Sequence, residues 1–275
     1  MQTVREKLRQ RTVPCLTAKE LLLRDKYQYL LELEDLELNG PDLRCYQVGT
    51  TIIIFEQVAG ESHIQIVPGQ GDCLRELCRL LKRLVHDKGW LTLFQPQLLD
   101  CDEFQKAFAV IEKQKQRSYL YSAGDGSAAT VDQNVKRLGM ADAGLVSKFE
   151  CEEKLPYRRY SLRQIFDLFV GENQGVIFAY VLDNQIVGYL TAVPSFDDVW
   201  DTDFVYVLPE YRGRNIGTEL AKAYAGDRCS QGFRAYWSNA FNEYSEAIAV
   251  KAGFHLVRET ILVKIQRKTK PVSAC

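Results

Sequence analysis

Between Val205 and Thr218 the chain reads VYVLPEYRGRNIGT, an apolar run that breaks at Pro209, turns through glycine and arginine, and enters a helix-forming stretch. A strand that ends, turns and enters a helix aims several backbone N–H groups and the positive end of a helix dipole at one spot. That spot suits phosphate. Glycine lets a backbone approach a ligand and adopt positive φ, and arginine adds charge-assisted hydrogen bonds. Arg212, Gly213, Arg214, Asn215, Ile216, Gly217 and Thr218 supply this combination. A bare tight connection could use the same residues, so the surroundings of the loop must decide.

Those surroundings read as α/β. Upstream, Leu162, Ile165, Phe166 and Phe169 form a helical stripe within Tyr160 to Val170. Strands Val176 to Leu182 and Ile186 to Val193 follow, joined by Asp183-Asn184-Gln185, and a third, Asp203 to Val207, feeds the loop. Downstream come a helix to about Cys229, a strand Phe233 to Ser238, a helix Glu243 to Ala252 with Gly253 as its C-cap, and a last strand Phe254 to Ile265.

The first half repeats much of this order. Thr17 and Glu20 form a capping box opening a helix to about Leu38, where Asn39-Gly40-Pro41 stops it. Apolar stretches Tyr46 to Val58 and His63 to Val67 read as a hairpin around Ala59 to Ser62. Leu74, Leu77, Cys78, Leu81, Leu84 and Val85 make a helical stripe, with Gly89 suited to its C-terminus. Trp90 to Phe94 reads as a strand, Phe104, Ala107, Phe108 and Ile111 as another helical stripe, and Arg117 to Ser122 as a strand. The run AGDGSAATVD, Ala123 to Asp132, buries little apolar area and marks a linker. We therefore expect an N-terminal α/β domain over 1–124, a linker over 125–134 and a C-terminal domain over 135–275. The shared order suggests an internal duplication, although a common α/β arrangement would explain it equally well. Its first-half loop, Val67 to Asp72, carries no arginine.

Lys plus Arg number 35 against 36 for Asp plus Glu, so no whole-chain field favours nucleic acid or an anionic membrane. MQTVREKLRQRTVP has no signal-like apolar core, and no apolar run approaches the ~18 residues of a membrane span. A cytoplasmic location is expected, with neither nucleic acid nor membrane as partner. The eight cysteines contain no C-x-x-C pair and the three histidines no H-x-x-H spacing, so no metal is expected.

The loop with its flanks, V-x-P-E-Y-R-G-x-x-I-G, resembles the acyl-CoA loop of the GNAT acetyltransferase superfamily, whose core is Q/R-x-x-G-x-G/A. Arg212 and Gly217 match its ends. Asn215 replaces the middle glycine, and it is the non-glycine residue most tolerant of the left-handed region. A second family-like pattern follows in order: N-x-x-[AS]-x-x-x-x-x-K-x-G-F, as Asn242, Ser245, Lys251, Gly253 and Phe254. The resemblance covers roughly Tyr160 to Lys264. It implies a GNAT fold for the C-terminal domain, a mixed and mostly antiparallel sheet flanked by helices, with the N-terminal domain as a degenerate relative.

The resemblance also implies acetyl-CoA as cosubstrate and direct transfer to a primary amine. Val205, Tyr206 and Val207 would pair with the pantetheine arm, and a backbone N–H near Val207 would polarise the thioester carbonyl. Arg212 to Thr218 would hold the pyrophosphate, and Asn242 with Ser245 would face the arm's other side. Many members carry a thiolate-protonating tyrosine where Ala249 stands here. In this the chain is similar to the branch that includes zwittermicin-resistance acetyltransferases. Tyr244, on the same helix, is a substitute acid, or simply a packing residue. An amine nucleophile must lose a proton, so a nearby carboxylate is needed, and Asp203 is the first candidate. Asp201 is one pleat away on the expected same face, and Asp197 and Asp198 complete an acidic stretch that could attract a cationic amine or merely be solvated. The expected acceptor is a small-molecule amine. A peptide acceptor, or an acyl-CoA sensor without transfer, are the alternatives, and a homodimer is compatible with the sequence.

Overall fold

The computed structural model describes residues 12–38, 43–69, 74–121, 131–149, 161–240 and 242–268. In chain order the elements are β1 (Thr12–Val13), α1 (Cys15–Leu22), α2 (Leu30–Leu38), β2 (Arg44–Val48), β3 (Thr51–Val58), β4 (Glu61–Val67), α3 (Leu74–Leu84), β5 (Lys88–Leu93), α4 (Asp102–Ala107) and β6 (Phe108–Tyr121). They continue with β7 (Val135–Arg137), α5 (Ala143–Val146), α6 (Leu162–Phe166), β8 (Val176–Leu182), β9 (Gln185–Pro194), β10 (Val199–Val207), α7 (Ile216–Ser230), β11 (Arg234–Ala240), α8 (Glu243–Lys251) and β12 (His255–Arg267). Contacts divide the chain into two compact units, one of residues 1–116 with 258–275 and the other of residues 117–257. The sequence placed one cut, inside a linker whose residues 122–130 lie outside the described ones; contacts place two.

In the first unit β2, β3 and β4 run antiparallel, β5 joins β4 in parallel, and residues Ile261 to Gln266 of β12 pair antiparallel with β5. Ala59 at φ 49 and Gly60 at φ 85 make the tight β3–β4 turn, both in the positive region that a twist-matched two-residue hairpin needs. The apolar face of α3 buries Leu77, Cys78, Leu81 and Leu84 against Ile53, Ile64, Leu91 and Val263. Arg258 is buried against Glu32 at 2.6 Å and lies over the Phe94 ring at 5.2 Å, which ties the returning chain into this unit.

Several expectations fail here. The helix from Thr17 is two helices, separated by a 3-10 turn at Leu23–Asp25, and the first begins at Cys15 after Pro14, without a side-chain cap. Its expected stop at Asn39 to Pro41 lies outside the described residues. The stretch Tyr46 to Val58 is broken by Gly49 at φ 60 into β2 and β3. The second helical stripe stops at Ala107, and Phe108 and Ile111 begin β6. Gly89 is no helix cap. It is a residue of β5, and a Cβ there would meet the Ser62 carbonyl oxygen at 2.7 Å, so the glycine permits the close β4–β5 approach.

In the second unit β7, β8, β9 and β10 form an antiparallel series, with Asp183 at φ 46 and Asn184 at φ 60 closing the β8–β9 turn. Strand β11 joins β10 in parallel, and Arg117 to Tyr121 of β6 pair antiparallel with β11. Leu220, Ala221, Tyr224 and Ala225 of α7 pack with Trp237, Ala249 and Phe254 on one face of the sheet. On the other, Leu162, Ile165 and Phe166 of α6 pack with Ile177, Tyr189 and Tyr206. Strand β7 and helix α5 had no sequence counterpart.

Candidate functional site

The β10–β11 pair is a fork. Its parallel register runs through Val199↔Arg234, Trp200↔Ala235 and Asp201↔Tyr236, and there it ends. Strand β10 continues to Val207 and β11 to Ala240. Along its other edge β10 stays paired with β9 as far as Val207↔Gly188, so the strand does not dissolve; it parts from one neighbour. The side chains of Val205 and Val207 pack into the core beside α7, and Tyr206 is buried in the opposite layer. Their chemical contribution to the fork is therefore their backbone.

Beyond Val207 the chain turns at Pro209–Tyr211 and enters the loop. Gly213 has φ 77 and Asn215 has φ 61 and ψ 10, so asparagine does adopt the left-handed conformation expected of it. The Asn215 side chain makes no capping hydrogen bond to α7, which leaves the first-turn N–H groups to be satisfied from outside the helix. Ile216, Gly217 and Thr218 are buried, and they offer those N–H groups rather than side chains. A Cβ at Gly217 would come within 2.8 Å of Ile248 Cδ1, so this glycine also admits α8 beside α7. Arg212 donates from Nε to the Val207 carbonyl at 3.0 Å and stands over the Tyr206 ring. Arg214 donates to the Glu210 carbonyl at 3.2 Å and covers Tyr211. Both guanidinium groups are exposed. Open N–H donors at a helix N-terminus, two exposed arginines and a positive-φ loop fit a pyrophosphate, and the parted strands fit an extended chain beside them.

The aspartates of the acidic stretch have separate partners. Asp203 falls where the β9–β10 register slips, between Thr202↔Ala192 and Phe204↔Thr191. It is the extra residue of a β-bulge, and such bulges re-aim a side chain. Its carboxylate is exposed and accepts from Thr191 Oγ1 at 2.9 Å. Asp201 instead reaches across to β11 and accepts from the Ser238 N–H at 3.1 Å. The two do not act as one pleat-related pair, because the bulge interrupts the alternation. Asp198 pairs with Arg234 at 3.4 Å.

On α8, Asn242 is the N-cap, and its Oδ1 accepts from the Ser245 N–H at 2.9 Å. Ser245 Oγ accepts from Trp237 Nε1 at 3.0 Å. Ala249 is fully buried. Tyr244 is 75% exposed and does not pack. Five residues at 100° each set it about 140° around the helix from Ala249. Tyr224 lies below the fork, its hydroxyl donating to the Trp200 carbonyl at 2.5 Å, and burial foremost, then the charge of Asp201, pushes it well above the usual phenol range. Sequence reasoning missed Thr191, Thr202 and Tyr224. The signal available was Asp-Thr-Asp inside an otherwise apolar strand, a polar interruption that local pattern does not ask for.

Residues 143–254 match the family model described as Acetyltransferase (GNAT) family, and this part of the chain is a GNAT acetyltransferase domain. Among solved structures, a GCN5-related N-acetyltransferase from Sphaerobacter thermophilus superposes with a TM-score of 0.63 at 12% identity, covering 96% of this chain and 98% of that one. A GNAT-family acetyltransferase from Colwellia psychrerythraea gives 0.56 at 13% identity, covering 94% and 98%. A Drosophila protein gives 0.56 at 16% identity with the same coverage. At such identities the likeness establishes the fold, which spans nearly the whole chain. No curated protein matches the sequence significantly. Among the described residues no helix is long and apolar enough to cross a membrane, and no group of three or more His, Cys, Asp or Glu is placed to hold a metal ion.

Proposed function

We propose that the GNAT domain transfers an acetyl group from acetyl-CoA to a primary amine of a small molecule, by direct attack within a ternary complex. The observation that carries this reading is the fork, open after Asp201↔Tyr236 and leading into the uncapped N-terminus of α7. Acetyl-CoA supplies an activated thioester. The chain's residues position it: first-turn N–H groups at Ile216 to Thr218 with Arg212 and Arg214 hold the pyrophosphate, and backbone groups of Val205 to Val207 pair with the pantetheine arm. Asn242 and Ser245 line its other side through donors their structural bonds leave over. A backbone N–H near Val207 polarises the carbonyl.

Asp203 takes the proton from the attacking amine, directly or through one water, because it is an exposed carboxylate aimed out of a bulge beside the fork. Tyr244 is not assigned the acid's role, since it is exposed and set around the helix from Ala249. Water protonates the departing thiolate, whose basicity is modest. Thiol release measured with acetyl-CoA and a panel of amino acids, polyamines and aminoglycosides tests the reading. Release with at least one amine is expected; tight acetyl-CoA binding without release from any acceptor would leave a sensor in place of an enzyme.

A further inference from the structure

Two side chains of β10 stand where its ladder with β11 ends. In a parallel ladder, backbone N–H and C=O groups of each strand go to the backbone of the other at even intervals. Past the last register pair, the next β11 groups facing β10 are the Tyr236 carbonyl and the Ser238 N–H. Neither is left to the ladder alone. Thr202 Oγ1 donates to the Tyr236 carbonyl at 3.0 Å, and Asp201 Oδ1 accepts from the Ser238 N–H at 3.1 Å. The Tyr224 hydroxyl braces the same point from α7, donating to the Trp200 carbonyl at 2.5 Å and approaching the Tyr236 carbonyl at 3.4 Å.

We propose that Asp201 and Thr202 form a side-chain wedge, positioning residues that end the β10–β11 ladder and thereby create the opening for the acyl-CoA arm; the second half of this statement rests on the function proposed above. Adjacent strand residues project to opposite faces, so the wedge meets β11 from both sides of the sheet. The bulge at Asp203 follows at once and turns β10 away from its former partner. The first unit provides an internal comparison. Its parallel pair β4–β5 stays in register for five pairs, Ser62↔Gly89 to Ile66↔Leu93, up to the last residue of β5. The β4 sequence ESHIQIV has no Asp-Thr pair, and the Ser62 hydroxyl donates to the Leu84 carbonyl rather than to β5.

Asparagine keeps an acceptor oxygen for the Ser238 N–H and loses the charge, whereas alanine loses both. In the full-length protein, Asp201→Ala is expected to weaken acetyl-CoA binding at least tenfold by calorimetry and to raise KM for acetyl-CoA more than it lowers kcat. Asp201→Asn should restore affinity to within about threefold of wild type. Circular dichroism and thermal melting establish that each variant folds, and Thr202→Val, which removes the second contact, serves where Asp201→Ala does not. Unchanged affinity in the folded variants overturns the wedge. So does Asp201→Asn binding normally with collapsed kcat, which would make Asp201 a proton-transfer group. An NMR titration of ligand-free protein separates this inference from the functional reading. The Ser238 amide proton should follow ionisation of the Asp201 carboxylate in wild type and not in Asp201→Asn. If wild type binds no acetyl-CoA, the functional reading fails while this signal still decides whether the wedge exists; an amide indifferent to that ionisation overturns it.

Discussion

Asp203 is an exposed carboxylate between buried Thr202 and half-buried Phe204, at the point where the β9–β10 register slips. The bulge adds one residue against Thr191, and the Thr191 hydroxyl donates to its carboxylate. A carboxylate held in a bulge by a hydroxyl donor and exposed to solvent is suited to proton abstraction. Asp203→Asn removes basicity while keeping size and an acceptor for Thr191. We expect kcat/KM for the amine to fall by about a hundredfold or more, as for loss of a general base, with acetyl-CoA affinity nearly unchanged. Steady-state kinetics beside calorimetry reads both. Equal losses in affinity and rate would instead make the residue a binding contact. Tyr244→Phe, by contrast, should leave the rate within about twofold, since the exposed hydroxyl is given no part in the transfer.

At the scale of elements, Gly89 shows how a residue legible in one way serves in another. Its place after an amphipathic helix suggested a cap, but the helix ends earlier and the glycine lies in β5, where a Cβ would stand 2.7 Å from a backbone oxygen. Backbone cannot swing aside like a side-chain terminus. Gly89→Ala should therefore cost about 1–3 kcal/mol, the range for overpacking, measured as a shift in denaturant midpoint at constant m-value. Elements with a strong period or β-branched run were legible: α3, β8, α7 and α8 sit within a residue or two of where sequence put them. The stripe Phe104 to Ile111 was not, because its three- and four-residue spacing matches a helix while Phe108 onward is claimed by sheet pairing that local pattern does not encode. The candidate site was legible as two motifs, the loop and the pattern on α8. Its bulge and fork were not, for both arise from register between strands.

The α3 helix also carries a titration. Cys78 is pushed up from 9.0 to about 12, first by burial and then by its contact with Cys101, whose sulfur lies at 3.8 Å. A folded pKa above the unfolded value means that the native state holds this proton more tightly. Its contribution is complete below pH 9 and is lost as pH rises from about 9 to about 12. Denaturation midpoints of wild type and Cys78→Ala, followed from pH 8 to pH 11, should converge as pH rises. Parallel curves would mean that the thiol ionises as readily in the folded chain.

Across the whole molecule, both units use one order: three antiparallel strands, a helix, a strand parallel to the third, and a helix. In the first these are β2, β3, β4, α3, β5 and α4; in the second, β8, β9, β10, α7, β11 and α8. Each is then completed by the strand that follows the other's last helix, since the end of β6 pairs with β11 and the end of β12 with β5. This reciprocity is why contacts cut the chain twice. The two units differ where the proposed chemistry lies. β10–β11 parts after three pairs and leads into a loop with two arginines, whereas β4–β5 is paired to the last residue of β5 and its following residues Pro68 and Gly69 carry no charge. A closed ladder has already spent on its partner strand the backbone groups that an acyl-CoA arm would need. Calorimetric titration of the full chain with acetyl-CoA should therefore give one site per chain, and Arg212→Ala with Arg214→Ala should weaken that site without uncovering another. Two sites of similar affinity would show that β4–β5 opens to ligand as well.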